Sequence, residues 1–258
     1  MTQTTAAPPQ AKPSNLVGAG ILVLWLALGA MLMFASPAPG TITFAFVIVG
    51  WVLSVMAHEF SHAAVAWLGG DHTVKAKGYL DFDPRRYGAW QTSLIIPLLA
   101  LALGGIGFPG GAVYLRNDLM RGRAWRAAAA LAGPAATGAI LLVLAAVLRL
   151  WGGSGDTSGA LFAALAMLAF LQAMALILNL LPLPGLDGFG AIRPFLPKSL
   201  GPTLRRAQGL TWLILLGAIF FVPGVGTGLF RIAVDLATLL GVPPTAMQAG
   251  WDAFHFWR

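Results

Sequence analysis

The sequence predicts an all-α polytopic membrane protein with about six transmembrane helices, a re-entrant segment and a short β-hairpin near a buried polar cluster. Three observations carry that prediction. The chain is poor in charge, its apolar residues fall into runs long enough to cross a bilayer, and one of those runs contains three ionisable side chains. Hydrophobic residues make up 58% of the 258 and charged residues 10%, against roughly 25% charged in soluble globular proteins. The mean hydropathy is +0.79. So few charges cannot cover a soluble surface, which makes the lipid bilayer the expected surrounding. The net charge of +7 then bears on orientation in the membrane, and no nucleic-acid partner is expected. Without any cysteine, neither a disulfide framework nor a thiolate metal site can form.

In chain order, residues 1–15 are polar and aperiodic, which predicts a disordered tail. Leu16 to Ala35 is apolar throughout and long enough for ~30 Å of hydrocarbon. A cleaved signal peptide usually has a shorter apolar core of about 7–15 residues, so this run reads as a retained anchor. The run Thr41 to Leu68 follows the Ser36–Gly40 link. Gly69 to Ala89 is polar and basic, and Tyr79 to Pro84 alternates weakly, as a short strand would. Trp90 to Gly104 is apolar but short and interrupted by Pro97, and Gly105 to Tyr114 reads as a hairpin. Two clear spans come next, Ala124–Leu150 and Ser158–Leu181, the first with small residues that let helices approach closely. The loop Pro182–Ala207 leads to two apolar runs, 209–222 and 225–240, split by Pro223-Gly224. The aromatic end, Trp251 to Arg258, suits an interfacial anchor. One transmembrane domain is therefore expected over 16–242, with its core at 42–195 and an interfacial tail at 243–258.

Charge sets the expected topology. Loops 69–89 and 105–126 are both rich in Lys and Arg, and basic loops tend to stay cytoplasmic. A full crossing by 90–104 would put them on opposite faces. A re-entrant 90–104 puts Lys12, both of these loops and the 193–206 loop on one side, with the N-terminus cytoplasmic.

The chemistry centres on Ala57-His58-Glu59-Phe60-Ser61-His62-Ala63. On a helix, His58 and His62 leave the same face one turn apart, and Glu59 sits one step round. This H-E-x-x-H spacing suits two zinc ligands and a carboxylate able to take a proton from water. Ionisable groups inside an apolar span are costly unless they have a function. A third ligand must come from a short inventory, because Glu59 is the only glutamate. Asp187 is the strongest candidate: it follows Pro182 and Pro184, which end a span, and Gly188 allows a tight turn that aims it back into the bundle. Asp235 is the alternative inside an apolar run, but Arg231 four residues earlier offers it an ion pair. Asp71, Asp81, Asp83 and His72 read as solvated loop residues.

These residues together resemble the site-2 proteases, a family of intramembrane zinc metalloproteases. The resemblance rests on His58-Glu59-Phe60-Ser61-His62, on Asn179, Pro182, Pro184 and Asp187-Gly188 at the end of a later span, and on Ala132-Gly133-Pro134 between them. The strand and hairpin segments look like the compact branch without a PDZ or CBS domain. The resemblance implies one Zn²⁺ per chain held by His58, His62 and Asp187, with Glu59 as general base. It also implies that Asn179 steadies the tetrahedral intermediate; capping or tying helices is the other reading of that residue. Thr137 and Phe189 depart from the family pattern, and those departures are expected to bear on substrate placement.

A site-2 protease cleaves transmembrane-helix substrates within the bilayer, so such a substrate is the implied partner. A helical peptide bond is shielded by its own hydrogen bonds, and the Gly105–Tyr114 hairpin offers an edge on which an unwound substrate could pair. The competing reading is a non-proteolytic metal-binding protein or transporter. Transporters usually distribute polar residues over several spans, often in repeats, whereas here they converge on one cluster. The abundance of Ala, Gly and Arg hints at a GC-rich bacterial genome, and hence at a multi-pass protein of a bacterial cell membrane.

Overall fold

The computed structural model describes residues 15–34, 40–87, 113–152 and 159–257. Its long helices are α1 (Leu16–Met33), α2 (Gly40–Gly69), α4 (Arg123–Gly152), α5 (Ala160–Leu180), α7 (Gly201–Phe221) and α8 (Val225–Leu239). Shorter helices are α3 (Thr73–Ala76), α6 (Asp187–Ile192) and α9 (Pro244–Phe254). Four of them, α1, α2, α4 and α5, are long and apolar enough to cross a membrane. A fifth span results if Leu213–Phe221 and Val225–Leu239 count as one, although they meet at 92°. The expectation of about six spans thus becomes four or five among the described residues. The reason is the Pro223-Gly224 break: Gly224 has φ +86°, and α8 with 15 residues is only ~22 Å long, short of ~30 Å of hydrocarbon. The expected re-entrant segment 90–104 and most of the 105–114 hairpin lie outside the described residues.

Helix α5 is the hub. Its side chains Phe162, Met167, Phe170, Leu171 and Leu178 are fully or almost fully buried, enclosed by α2, α4, α8 and α9. A helix apolar all round belongs in the centre of a bundle. By contrast, Leu22, Val23, Leu142, Val143, Leu213 and Ile214 lie outside it and are exposed, as lipid-facing residues are. Helix α1 joins α2 through Trp25 stacked on Phe46, with ring centroids 4.9 Å apart. Helix α9 folds back onto α5, where Phe254 is fully buried and a Cβ at Gly250 would strike the Ala163 carbonyl.

The polar connection after α2 differs from its sequence reading. No strand occurs among the described residues; Tyr79 to Phe82 is a run of turns and bends leading into a 3-10 turn at Pro84–Arg86. Aspartate side chains take the local backbone donors and so compete with a ladder. Asp83 Oδ1 accepts from Arg85 N–H at 3.0 Å, and Asp71 Oδ1 accepts from Thr73 N–H at 3.1 Å. Asp71, Asp81 and Asp83 are consequently buried rather than solvated; of that loop set only His72 is exposed. The Asp71 carboxylate also accepts the Arg116 N–H at 2.7 Å, which ties segment 113–116 to the end of α2. Arg231 and Asp235 are exposed and form no ion pair, so the pairing expected between them is absent.

Candidate metal centre

Helix periodicity builds one wall of the site. Trp51, Ser54, Val55, His58 and His62 recur at helical spacing along the inward face of α2, where Trp51, Ser54 and both histidines are buried. Asp187 reaches the site by a different device. Helix α5 stops at Leu180 because Pro182 and Pro184 cannot continue its hydrogen bonding. Gly185 then turns the chain with φ +105°, a conformation that favours glycine, and Asp187 opens α6. Gly188 contributes something other than the expected tight turn. It lets the backbone pass close to the Leu180 and Leu181 carbonyls, where any Cβ would collide.

The three expected ligands converge. His58 Nε2 is 3.1 Å from Asp187 Oδ2, His62 Nε2 is 3.4 Å from Asp187 Oδ1, and the two Nε2 atoms are 3.0 Å apart. Ligand oxygens and nitrogens bound tetrahedrally at ~2.0–2.2 Å stand about 3.3–3.6 Å from one another, so the triangle is within a few tenths of an ångström of a zinc site. The outer nitrogens are also committed. His62 Nδ1 lies 2.6 Å from the Ala129 carbonyl, which only accepts, so Nδ1 carries the proton and Nε2 keeps its lone pair. His58 Nδ1 lies 2.9 Å from Thr137 Oγ1. Such outer contacts fix ring orientation and tautomer in metal sites. Lone pairs and a carboxylate facing one another at this range call for a cation between them. Gly133 on α4 makes the room, since a Cβ there would strike both Nε2 atoms.

Glu59 is buried beside this triangle, and its Oε2 accepts the Val113 N–H at 3.0 Å. Glu59, His62 and Asp187 line an open cleft of about 740 Å³, whose walls include Tyr114, Arg123, Arg126 and Arg193. Asn179 is buried too, but it lines a separate cavity of about 20 Å³ beside His58, Thr137 and Gln172. Thr137, assigned by sequence to substrate placement, instead touches a ligand. Its position on the inward face of α4, one turn after Gly133, was the available signal. The Ala129 carbonyl and Val113 N–H are backbone groups and left no sequence signal.

Helices of membrane-crossing length surround a His-His-Asp triangle with an adjacent glutamate, the donor set of a zinc hydrolase. Comparison with known proteins gives the same class. The chain is 42% identical over 214 residues to the Mycobacterium tuberculosis protein named "Putative zinc metalloprotease Rip2", covering 83% of this chain and 81% of that one. The Mycolicibacterium smegmatis protein of the same name is 40% identical over 216 residues, with the same coverage. "Putative zinc metalloprotease YwhC" of Bacillus subtilis is 24% identical over 188 residues, covering 70% of this chain and 82% of that protein. No family model matches the chain, and no solved structure matches it. The chain belongs to the site-2 family of zinc metalloproteases, alongside the Rip2 proteins. Zn²⁺ is its cofactor and His58, His62 and Asp187 are the group able to hold it.

Proposed function

We propose that this protein is an intramembrane endopeptidase that cuts transmembrane segments of membrane proteins with zinc-activated water. The observation that supports this most is the placement of the His58–His62–Asp187 triangle, its histidines buried and its aspartate half-buried among helices long enough to cross a bilayer, with His62 and Asp187 open to the cleft. Zinc in such a site supplies a Lewis acid that polarises the scissile carbonyl and acidifies water. Glu59 is the general base. Its Oε2 is steadied by Val113 N–H, which leaves Oε1 to take a proton from the attacking water. Water adds to the carbonyl carbon, the C–N bond breaks, and Glu59 returns the proton to the leaving nitrogen. The cleft receives the substrate unwound, against the wall that Val113, Tyr114 and Leu115 supply.

The basic loops set the orientation, with the N-terminus cytoplasmic and the cleft's arginines on the same side. Single cysteines introduced into this cysteine-free chain at position 12 and at Lys75 test it. Both should react with an impermeant thiol reagent only after the cells are opened, and labelling of either in intact cells contradicts the orientation. The activity itself is tested with Glu59→Gln. The variant should retain one zinc per chain and lose cleavage of a single-span substrate in proteoliposomes. Undiminished cleavage refutes the role of Glu59, and a wild-type protein that cuts no membrane substrate refutes the proposal.

A further inference from the structure

Between α2, α4 and α5 lies a cavity of about 20 Å³, lined by Trp51, Ser54, His58, Thr137, Gln172 and Asn179 among others. A cavity needs ~10–15 Å³ to hold a water molecule, together with two to four polar partners. Gln172 and Trp51 are 1% and 2% exposed. Gln172 Nε2 and Trp51 Nε1 have no protein hydrogen-bond partner. Each of these atoms is a donor only, and buried donors in native proteins almost always find an acceptor. The face of α5 that carries Gln172 also carries Ala175 and Asn179, one and two turns further on, and all three line the cavity.

We infer that this cavity is a site for one water molecule, and that Gln172 and Trp51, through that water and the Thr137 hydroxyl, are positioning residues for His58. A water oxygen accepts two hydrogen bonds, which matches the two donors, and gives two. Thr137 Oγ1 and the Asn179 amide oxygen are acceptors on the cavity wall. Thr137 Oγ1 also stands 2.9 Å from His58 Nδ1. For His58 to offer a lone pair at Nε2, its proton must sit on Nδ1 and point at that hydroxyl oxygen. Holding the hydroxyl from behind therefore holds the imidazole in front. Ser54 gives its hydroxyl proton to the Gly50 carbonyl at 2.9 Å and so has none to offer the cavity water, whereas His58 Nδ1 has Thr137 Oγ1 within reach. The chain runs from Gln172 and Trp51 to the water, to Thr137, to His58.

This inference rests on His58 being a metal ligand, though not on the proteolytic reading. The test is a double-variant cycle on the full chain in detergent, with Gln172→Leu, Thr137→Val and both together. Zinc affinity is read by competition with a chelator, and unfolding of the metal-free protein is read separately. Loss of an outer contact to a ligand costs about 10–100-fold in metal affinity. Thr137→Val should fall in that range and Gln172→Leu near its lower end. The double variant should be no weaker than Thr137→Val alone, because both substitutions break one path. Unchanged zinc affinity in Gln172→Leu, or effects that simply multiply in the double variant, overturns the inference. If Gln172→Leu does not fold, Trp51→Phe, which keeps the ring and removes the N–H, takes its place with the same two outcomes. Failure of the protease reading shows up separately, as a wild-type protein that binds zinc and cuts nothing.

Discussion

Gly133→Ala is the substitution with the most to say about the metal centre, because it adds a single methyl group to a helix that does not itself supply a ligand. The Cβ would stand 2.5 Å from His58 Nε2 and closer still to His62 Nε2, whereas non-bonded carbon contacts rest at ~3.5–4.0 Å. Relief requires the rings or the helices to move by about 1 Å. That displacement is half the length of a zinc–nitrogen bond of ~2.0–2.1 Å, so at least one histidine leaves the site. Zinc affinity should fall at least ~100-fold, about 2.7 kcal/mol, and cleavage should fall with it. Gly138→Ala is the matched control on α4. Its Cβ meets only Leu176 Cδ2, at 3.7 Å, an ordinary contact, and the helix gains ~1 kcal/mol of propensity. That variant should bind zinc as the wild type does and be no less stable. Zinc content and chelator competition on the two purified variants decide the matter. Wild-type zinc affinity in Gly133→Ala would refute the placement of α4 against the imidazoles.

Three further outcomes follow from the same geometry. Asp187→Ala should remove zinc from the purified protein although the chain still folds, as judged by helicity and elution volume; full zinc occupancy would show that another group supplies the third ligand. Asn179→Ala should weaken zinc binding severalfold along with kcat, because the residue lines the cavity beside His58 rather than the cleft. A loss of ~100–1,000-fold in kcat with zinc affinity intact would instead mark it as an oxyanion donor. The loop before residue 88 should show acid sensitivity. The Arg85 guanidinium, hydrogen-bonded to Asp83, holds that carboxyl below the usual carboxylate range. A depressed value stabilises the folded loop above the ordinary carboxylate pKa, and the contribution is lost as pH falls through the lowered one. Hydrogen exchange over residues 79–87 should therefore quicken, beyond its intrinsic pH dependence, between about pH 5 and pH 3 in the wild type. In Asp83→Asn it should already be fast and should follow the intrinsic trend alone; identical profiles would contradict the account.

Much of the site was legible because its signals are periodic or exhaustible. His58 and His62 are four apart in an apolar run, so helix geometry alone puts them on one face. With no cysteine and one glutamate, the third ligand had few places to be, and the prolines after Leu180 marked where a chain could turn back. The contact of Thr137 with His58 was only partly legible, since its spacing from Gly133 puts both on one face of α4 but does not say that this face meets the imidazoles of α2. Asp71 and Asp83 are buried although they stand in a polar loop, and each sits two residues before the backbone N–H it accepts, at Thr73 and Arg85, a local pattern visible in the sequence. Among the described residues four or five spans stand beside the six expected, because the sequence marks the Pro223-Gly224 break but not the 92° angle at which the two apolar runs meet.

The central claim is that two histidines from one span and an aspartate from the end of another hold a single zinc ion within the membrane. X-ray absorption at the zinc edge, on protein purified without added metal, tests it most directly. One zinc per chain, with two imidazole nitrogens and carboxylate oxygen at about 2.0–2.2 Å, is the predicted result. Metal-free protein that still cleaves its substrate, or zinc bound unchanged when both His58 and His62 are replaced by alanine, would contradict it.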